Sequence, residues 1–486
     1  VSVARVYRDN SSAHVLGYVS QVSAKDLKNK AYLKEMSIPG MPVGKTGLER
    51  RLDKDIIGEV GFQRYEVNAF GKRIKQIKVD PGQAGKSFQT TLDLEVQRFT
   101  TELLGDKAAS VCVMDIYNGD IISLVSSPTF DPNSFVHGVD QKYWDSLIKN
   151  DRKPLTNKAI AGLYPPGSTI KTLVALSALE NKIIKPLNTV KCTGKIELFG
   201  EKFHCWKKKG HGTMNLRSGI KRSCDVYFYE IARRLGVDRL SETAKKFGLG
   251  KKVLSNFSEE RSGVVPSTTW KKKYIGQNWY LGETLHSGIG QGYFQSTPIQ
   301  LCLMTAQIAN GGFEIKPRIV FDKEKNNLKE YLKFKNENPG QPLPQELLVS
   351  NFDLKPLFKN QENIKIIKDA MYSSSNEPGG TSYRSRLDDK RFTFAGKTGS
   401  SQIKKFTEAQ REAEVKQESL DYKDRDHALF IAYAPVSDPK YAISVVVEHG
   451  GSGSKAAAPI AKQVIKKVLE RDALRESANN LMGDPV

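Results

Sequence analysis

Long apolar runs are absent from this sequence of 486 residues. A helix needs about 18 consecutive apolar residues to cross a bilayer, and no stretch reaches that length, so no transmembrane segment is predicted. The first residue is Val1 rather than Met, and we expect that a leader or membrane anchor has been removed. Arginine-rich tracts and nucleic-acid module signatures are also absent, which disfavours nucleic acid as the partner of a chain with net charge +21.

Cysteine is scarce as well, with five residues in the chain. Cys112 and Cys302 lie inside apolar runs, where a cysteine is usually a small buried hydrophobic residue. The other three share one stretch of 33 residues with a histidine. Hydrophobic residues make up 39% and charged residues 27% of the chain, which is typical of a globular protein. Because the length exceeds what one hydrophobic core usually supports, two domains are expected.

The pattern of short apolar runs divides the chain into two domains and a tail. Residues 1–85 alternate strand-like runs with glycine and proline, which predicts a small, mostly β domain with a hairpin turning at Asn68–Gly71. Residues 86–470 have strands near both ends and helices between them, which predicts one α/β or α+β domain. Residues 471–486 are polar and predict a poorly ordered tail.

Three segments of the larger domain have a clear local pattern. A helix is predicted to end at Gly105. Asn118-Gly119 is flanked by apolar alternation, which is typical of a tight β-hairpin. A last amphipathic helix is predicted from about Lys455 to Leu469.

The segment around Ser168 has the properties of a nucleophile site. A Pro-Pro-Gly loop precedes Ser168, and a run rich in alanine and leucine follows it, so the serine is predicted at a helix N-terminus, where the helix dipole favours developing negative charge. Lys171 lies one turn further along the same face, where a neutral amine could accept the serine proton. A serine N-cap followed by a surface lysine would give the same pattern.

Two later motifs favour the catalytic interpretation. Ser223-Cys224-Asp225 begins a predicted helix 55 residues after Ser168, and Lys397-Thr398-Gly399-Ser400 follows a strand-like run a further 174 residues on. The order S-x-x-K, S-x-D, K-T-G resembles the motif set of penicillin-binding proteins and serine β-lactamases. An earlier Lys45-Thr46-Gly47 precedes the serine and is interpreted as a turn.

Further segments make the sequence similar to class B penicillin-binding proteins of the elongation type. Gly288 to Gln300 looks like the G-Q-G and T-P-x-Q segments of transpeptidase domains, and Gly47 to Arg50 looks like part of an N-terminal pedestal. Lys207 to Gly212, together with Tyr164 to Thr169, looks most like the elongation type. The resemblance covers essentially the whole chain. It implies an α+β transpeptidase domain, with an antiparallel sheet flanked by helices and an all-helical lobe, on a small mostly β pedestal.

The resemblance also implies a peptidoglycan D,D-transpeptidase and a role for each motif residue. Ser168 would form an acyl-enzyme with a stem peptide, Lys171 would act as general base and Ser223 as proton relay. Lys397 would supply positive charge for the terminal carboxylate of the substrate. The backbone N–H groups of Ser168 and Ser400 would form an oxyanion hole.

The K-T-G motif would complete the substrate site. Thr398 and Ser400 would bind the terminal carboxylate, with Gly399 between them. The second motif usually ends in asparagine, but Asp225 stands there in this chain. An ionised carboxylate can only accept hydrogen bonds, whereas an asparagine amide can also donate them. Asp225 is therefore expected to pair with Lys171 or Lys397, or to act only as an acidic residue at a helix N-terminus.

The cysteine-rich stretch permits three interpretations. Cys192, Cys205, His211 and Cys224 are all metal-ligand types, and a closed Cys₃His set suits structural zinc. A Cys192–Cys205 disulfide and plain buried thiols are the alternatives. The resemblance favours zinc, since some elongation-type relatives carry metal ligands at the matching positions, and His204 is an alternative ligand.

Partners and location follow from the resemblance alone. It implies peptidoglycan stem peptides and β-lactams as ligands, no cofactor for the chemistry, and a periplasmic domain on a single inner-membrane anchor. It also implies a scaffold protein of the MreC type and a polymerase of the RodA type as partners. A β-lactamase or a β-lactam sensor of the same fold is the alternative function.

Overall fold

The computed structural model describes residues 5–29, 33, 41–59, 61–254, 257–321, 328–344, 347, 356–404, 410 and 415–482, with side chains as far as residue 475. The chain separates into two compact units. The smaller one comprises Val1–Thr90, Thr129–Leu155 and Asn256–Glu259, and the larger one comprises Thr91–Pro128, Thr156–Ser255 and Glu260–Val486. The return of the chain to the smaller unit at Thr129 was not predicted from the sequence pattern.

The strands of the described residues are β1 (Val19–Gln21), β2 (Pro42–Gly44), β3 (Phe62–Val67), β4 (Arg73–Asp80), β5 (Ala109–Asp115), β6 (Ile121–Ser127), β7 (Val190–Cys192), β8 (Lys195–Leu198), β9 (Glu201–His204), β10 (Gly212–Met214), β11 (Ala395–Ser401), β12 (His427–Ala434) and β13 (Tyr441–Val447). The α-helices are α1 (Ala13–Leu16), α2 (Ala24–Asn29), α3 (Gly47–Arg51), α4 (Asp53–Ile57), α5 (Leu94–Leu104), α6 (Gln141–Ile148), α7 (Lys158–Ala161), α8 (Lys171–Glu180), α9 (Leu216–Lys221), α10 (Asp225–Leu235), α11 (Val237–Lys246), α12 (Thr268–Tyr274), α13 (Leu281–Gly288), α14 (Pro298–Ala309), α15 (Leu328–Glu337), α16 (Gln361–Asn376) and α17 (Ala458–Met482).

The smaller unit combines two antiparallel strand pairs with short helices. β1 pairs with β2, and β3 pairs with β4 in the hairpin predicted around Asn68–Gly71, which confirms that prediction. Its core is aromatic: Phe130 and Phe135 pack with Leu147, and Tyr18 stacks on Phe135 at 4.3 Å between ring centroids.

The early K-T-G sequence lies in this unit, between β2 and α3. Thr46 is the N-cap of α3, and Lys45 forms an ion pair with Asp26. This K-T-G sequence therefore connects β2 to α3, which agrees with its interpretation as a turn.

A five-stranded antiparallel sheet forms the centre of the larger unit, in the order β11-β12-β13-β5-β6. The β5–β6 hairpin turns at Asn118-Gly119, and α5 ends on Gly105, both as predicted. Val111, Val113 and Val445 share one hydrophobic core with α5 and α17. On the opposite face, α14 contacts the sheet, since the Cys302 thiol lies 3.4 Å from the Cys112 carbonyl oxygen. The sheet is thus covered by helices on both faces, with the Lys397–Ser400 motif on an edge strand.

The last helix is longer than the sequence predicted. α17 runs to Met482, well beyond Leu469, and residues 483–486 lie outside the described residues. No glycine or proline interrupts this stretch before Gly483. Arg471 and Arg475 also form ion pairs with the buried Asp93 carboxylate, the N-cap of α5. The predicted poorly ordered tail is therefore wrong for residues 471–482.

Among the described residues, no helix is both long and hydrophobic enough to cross a membrane.

Candidate active site

Ser168 lies in a single 3-10 turn, Gly167–Ile170, directly before α8. Gly167 has a φ of +54°, and a Cβ there would lie 2.5 Å from the carbonyl oxygen of Ser400 on β11. Only glycine fits this close approach. The Gly167 N–H also donates to the Gly290 carbonyl at 2.9 Å. The turn is therefore pressed against the edge strand, with the Ser168 side chain half-buried.

Lys171, the first residue of α8, is completely buried and connects this turn to the second motif. Its Nζ donates to the Ser223 carbonyl at 3.0 Å, to Ser223 Oγ at 3.3 Å and to Asp225 Oδ1 at 2.7 Å. These three bonds use every proton of an ammonium group. The structure therefore brings Ser223 and Asp225 to Lys171, as the motif spacing suggested.

Ser223 has an unusual backbone conformation. Its φ is +53°, in the left-handed region that costs a non-glycine residue roughly 1–3 kcal/mol. The Ser223 N–H donates to the Ile220 carbonyl at the end of α9, and Cys224 then acts as the N-cap of α10. Strain of this kind persists where the surroundings fix the conformation, and here it aims Ser223 Oγ at the buried amines.

Lys397 approaches the same serine from the sheet. Its Nζ donates to Ser223 Oγ at 2.8 Å and to the Thr398 carbonyl at 2.9 Å, and the side chain is fully buried. Burial, and next the charge of Lys171, hold the pKa of Lys397 well below its usual range. Ser223 Oγ thus lies between two amines, one of which is driven toward its neutral form.

The remaining residues of the K-T-G motif line the edge of β11. A Cβ on Gly399 would lie 2.9 Å from the Thr169 methyl carbon and 3.2 Å from the Pro166 carbonyl oxygen. Because Gly399 has no side chain, β11 can approach the turn that carries Ser168. The Ser400 carbonyl accepts from Gln291 Nε2 at 3.1 Å, which connects the G-Q-G segment to this strand.

Thr381 is a neighbour of the motif that the sequence analysis missed. Thr398 Oγ1 donates to Thr381 Oγ1 at 2.8 Å, and Ser374 Oγ lies 3.2 Å from the same atom. The Thr381 N–H donates to the Lys221 carbonyl at the end of α9. Gly379-Gly380 just before Thr381 was the available signal, since paired glycines often mark a tight loop.

Trp206 is the second missed residue. Its backbone N–H donates to Asp225 Oδ2 at 2.9 Å, and its indole Nε1–H reaches the carbonyls of Arg222 and Ser223 at 3.2 and 3.1 Å. Asp225 therefore has one oxygen on Lys171 and the other on Trp206. Of the pairings expected for Asp225, the structure shows the one with Lys171.

The cysteine cluster lies next to the second motif. The strand pairs β7–β10 and β8–β9, which were not predicted from the sequence, carry or flank Cys192, Cys205 and His211, and Cys224 is the N-cap of α10. The ligand atoms of Cys192, Cys205, His211 and Cys224 all lie within 4.8 Å of one another, and all four residues are buried. All five cysteines of the chain are free thiols, so the Cys192–Cys205 disulfide is not formed.

The geometry of the cluster suits a tetrahedral metal. His211 Nδ1 lies 3.4 Å from Cys205 Sγ and 3.7 Å from Cys192 Sγ. Zinc with bonds of about 2.3 Å to sulfur and 2.0 Å to nitrogen would separate these atoms by about 3.5 Å. His211, and not the alternative His204, joins the group. A hydrogen bond from the Cys224 thiol lowers the pKa of Cys205 against the opposing effect of burial, and a hydrogen bond from His211 acts in the same direction, which favours the thiolate that a metal binds.

Comparison with known proteins gives two family matches. The model described as penicillin binding protein transpeptidase domain matches residues 109–466, and the one described as penicillin-binding protein dimerisation domain matches residues 1–90.

Individual proteins agree with these matches. Peptidoglycan D,D-transpeptidase MrdA of Salmonella typhimurium LT2 is 34% identical over 465 residues, covering 95% of this chain and 72% of that protein. The complex between penicillin-binding protein 2 and MreC from Helicobacter pylori contains a chain with a TM-score of 0.80 and 32% identity, covering 96% of this chain and 79% of that one. A chain of a peptidoglycan synthase complex, studied for its coordination of polymerization and crosslinking, has a TM-score of 0.73 and 26% identity, covering 93% and 74%.

Proposed function

The chain belongs to the family of penicillin-binding protein transpeptidases, and from this membership we propose that Ser168 carries its acyl-enzyme. The protein is a serine-type peptidoglycan D,D-transpeptidase. One observation carries the assignment of Ser168: Ser223 Oγ lies between two buried amines, Lys171 and Lys397, and Lys171 lies one turn from Ser168. A serine hydroxyl needs a neighbouring base to lose its proton, and Lys171 is the amine assigned to that task.

The proposed reaction has two acyl transfers. Ser168 Oγ attacks the carbonyl of the penultimate D-Ala of a stem peptide and forms an ester. The peptide bond to the terminal D-Ala breaks, and that D-Ala leaves after gaining a proton on its nitrogen. The amine of a second stem peptide then attacks the ester, forms the cross-linking amide and returns a proton to Ser168 Oγ.

Proton movement is assigned to the three side chains around Ser223. Lys171 accepts the Ser168 proton, but its amine is a donor in three hydrogen bonds and must first pass one proton on. Ser223 Oγ offers the route, since it lies 3.3 Å from Lys171 Nζ and 2.8 Å from Lys397 Nζ. The lowered pKa of Lys397 lets its neutral amine accept that proton.

Substrate binding changes the charge of Lys397 in this proposal. A buried lysine with a lowered pKa tends to be neutral in the free enzyme. The terminal carboxylate of the stem peptide, bound beside the Thr398 and Ser400 hydroxyls, favours the ammonium form again. Arrival of the correct substrate thereby helps to draw the proton away from Lys171.

Asp225 serves to position rather than to contact the substrate. Its two oxygens bind Lys171 Nζ and the Trp206 N–H, which fixes the position of the amine. An asparagine would retain an acceptor for one of these partners but would not balance the charge of the buried lysine.

We assign structural zinc to Cys192, Cys205, His211 and Cys224. A metal held there would tie Cys224, the N-cap of α10, to the segment that carries Cys205 and His211. We expect about one zinc per chain in purified protein by elemental analysis, and loss of it in Cys205→Ser. Cys302→Ser, which changes a buried thiol outside the cluster, is the matched control. Metal-free wild-type protein with unaltered stability would contradict the assignment.

The proposed cellular role is cross-linking during elongation, in the periplasm and next to the inner membrane. The support is similarity to a penicillin-binding protein 2 that forms a complex with MreC and to a chain of a synthase that couples polymerization to crosslinking. A scaffold of the MreC type, a polymerase of the RodA type and a membrane anchor are assigned to this chain on that ground.

The β3–β4 hairpin is the proposed scaffold contact. It exposes Phe70, Ile74 and Ile77, with Phe70 94% exposed. An exposed apolar group of this size commonly marks a protein-binding surface. Ile74→Ser combined with Ile77→Ser is expected to weaken binding of a purified scaffold protein without changing acylation by penicillin.

A fluorescent penicillin tests the proposed catalytic site. We expect a slowly hydrolysed adduct on wild-type protein, none on Ser168→Ala, and a normal one on Ser146→Ala, an exposed serine of α6. An adduct that survives Ser168→Ala would refute the assignment of the nucleophile. Rapid turnover would indicate a β-lactamase, which the named transpeptidase relatives do not favour. Cross-linking of stem peptides then distinguishes a transpeptidase from a sensor.

A further inference from the structure

Five aromatic side chains form a continuous surface next to the G-Q-G segment. We call this surface the aromatic platform, and its members are Trp270, Tyr274, Trp279, Tyr280 and Tyr293. Ring centroids lie 6.1 Å apart for Trp270 and Tyr274, 5.4 Å for Trp270 and Tyr293, and 6.3 Å for Trp279 and Tyr293. Tyr274 and Tyr280 are 67% and 64% exposed. Exposed apolar groups that cluster in this way commonly mark a binding surface.

An ion pair between Lys271 and Glu283 lies against two of these rings, Tyr280 and Tyr293. Lys271 is 1% exposed, and its Nζ lies 4.7 Å from the Tyr280 ring centroid and 5.8 Å from that of Tyr293. Glu283 accepts from Lys271 Nζ through one oxygen, at 2.5 Å, and from the Tyr280 N–H through the other, at 2.8 Å. A buried ion pair is weak evidence for stability, because desolvation offsets much of its attraction. Its effect here is to immobilise exposed rings, and rigid rings lose little entropy when they bind a ligand.

The platform is continuous with the proposed active site. Tyr293 follows Gly292 directly, and the preceding Gln291 donates to the Ser400 carbonyl. Gly290 accepts from Gly167, the residue before Ser168. The segment that carries Tyr293 therefore leads from the rings to the turn that carries Ser168.

We propose that the aromatic platform binds the glycan strand of the peptidoglycan substrate. Sugar rings have apolar C–H faces and polar edges, which match the flat apolar faces and polar tips of tyrosine and tryptophan. Lys272 and Lys273 are exposed beside the rings, and their charge attracts the carboxylates of the stem peptides. This proposal rests on the proposed catalytic site, since it takes Ser168 as the point where a peptide of the bound strand reacts.

The test compares three ligands on matched variants. The probes are soluble uncross-linked glycan strands with stem pentapeptides, the free pentapeptide, and a fluorescent penicillin. Tyr274→Ala combined with Tyr280→Ala should weaken strand binding about tenfold and leave penicillin acylation within about twofold of wild type. Tyr280→Phe keeps the ring and should bind strands like wild type. Phe199→Ala, which removes an exposed ring between β8 and β9, is the control and should also bind normally.

Two results would overturn the proposal. One is unchanged strand binding in the double alanine variant, provided that its melting temperature matches that of wild type. Anionic lipid vesicles serve as a further probe for the second result. If the double alanine variant no longer binds these vesicles but still binds strands, the surface would face a membrane instead. Failure of wild-type protein to capture penicillin would instead refute the proposed catalytic site, and strand binding would still report on the platform by itself.

Discussion

Replacing Thr381 by valine removes one hydroxyl beside β11 and leaves the shape of the side chain almost unchanged. The lost contacts are the bond from Thr398 Oγ1 at 2.8 Å and the contact with Ser374 Oγ at 3.2 Å. At about 1 kcal/mol net for each, the free energy of unfolding should fall by about 2 kcal/mol. The Thr398 hydroxyl is assigned to the substrate carboxylate, so a loss of about 1 kcal/mol in orienting it should slow acylation about fivefold.

The assay for this variant is the second-order rate constant of acylation by a fluorescent penicillin, with urea unfolding in parallel. Thr381→Ser restores the hydroxyl and should recover most of the rate. Thr398→Val should slow acylation by itself, and adding Thr381→Val to it should have little further effect, because both changes disrupt one contact. Full additivity, or a serine variant as slow as the valine variant, would refute the assignment of Thr381 as a positioning residue.

Two more predictions concern charged groups. Asp225→Ala leaves the buried Lys171 amine without its carboxylate, and the free energy of unfolding measured in urea should fall by about 3 kcal/mol or more; an unchanged value would show that the ion pair is not needed. Burial raises the pKa of Asp426 to about 6, so this carboxyl favours folding below about pH 4 and loses that contribution as the pH rises through 6. Asp426→Asn should therefore match wild type near pH 4 in thermal unfolding and exceed it at pH 7.5, by at most about 3 kcal/mol.

The sequence was sufficient for the elements with strong local signals. The hairpin at Asn118-Gly119 and the helix end at Gly105 follow from turn chemistry that acts over a few residues. The position of Ser168 before a helix also follows from the Pro-Pro-Gly sequence and the Ala/Leu run.

Contacts that depend on the tertiary fold could not be read from the sequence. Trp206 is marked by no motif and Thr381 only by the paired glycines before it, and they reach the site through hydrogen bonds to Asp225 and Thr398. The short strands between residues 190 and 214 were missed because their runs of three or four residues are too brief for an alternating pattern to emerge. The sequence pattern predicted too early an end for α17. The helix continues where Arg471 forms an ion pair with Asp93, a residue far away in the sequence.

The strand order of the central sheet has a consequence for synthesis of the chain. β5 and β6 leave the ribosome early, but β5 pairs with β13, whose residues are made more than three hundred positions later. Long-range pairing of this kind is slow, so the helices between can form well before the sheet closes. The contact of Lys397 with Ser223 forms only after β11, which carries Lys397, has been made and has joined the sheet. A nascent chain therefore carries Ser168 for most of its synthesis without a complete site, and it becomes able to react only when its last strands have docked.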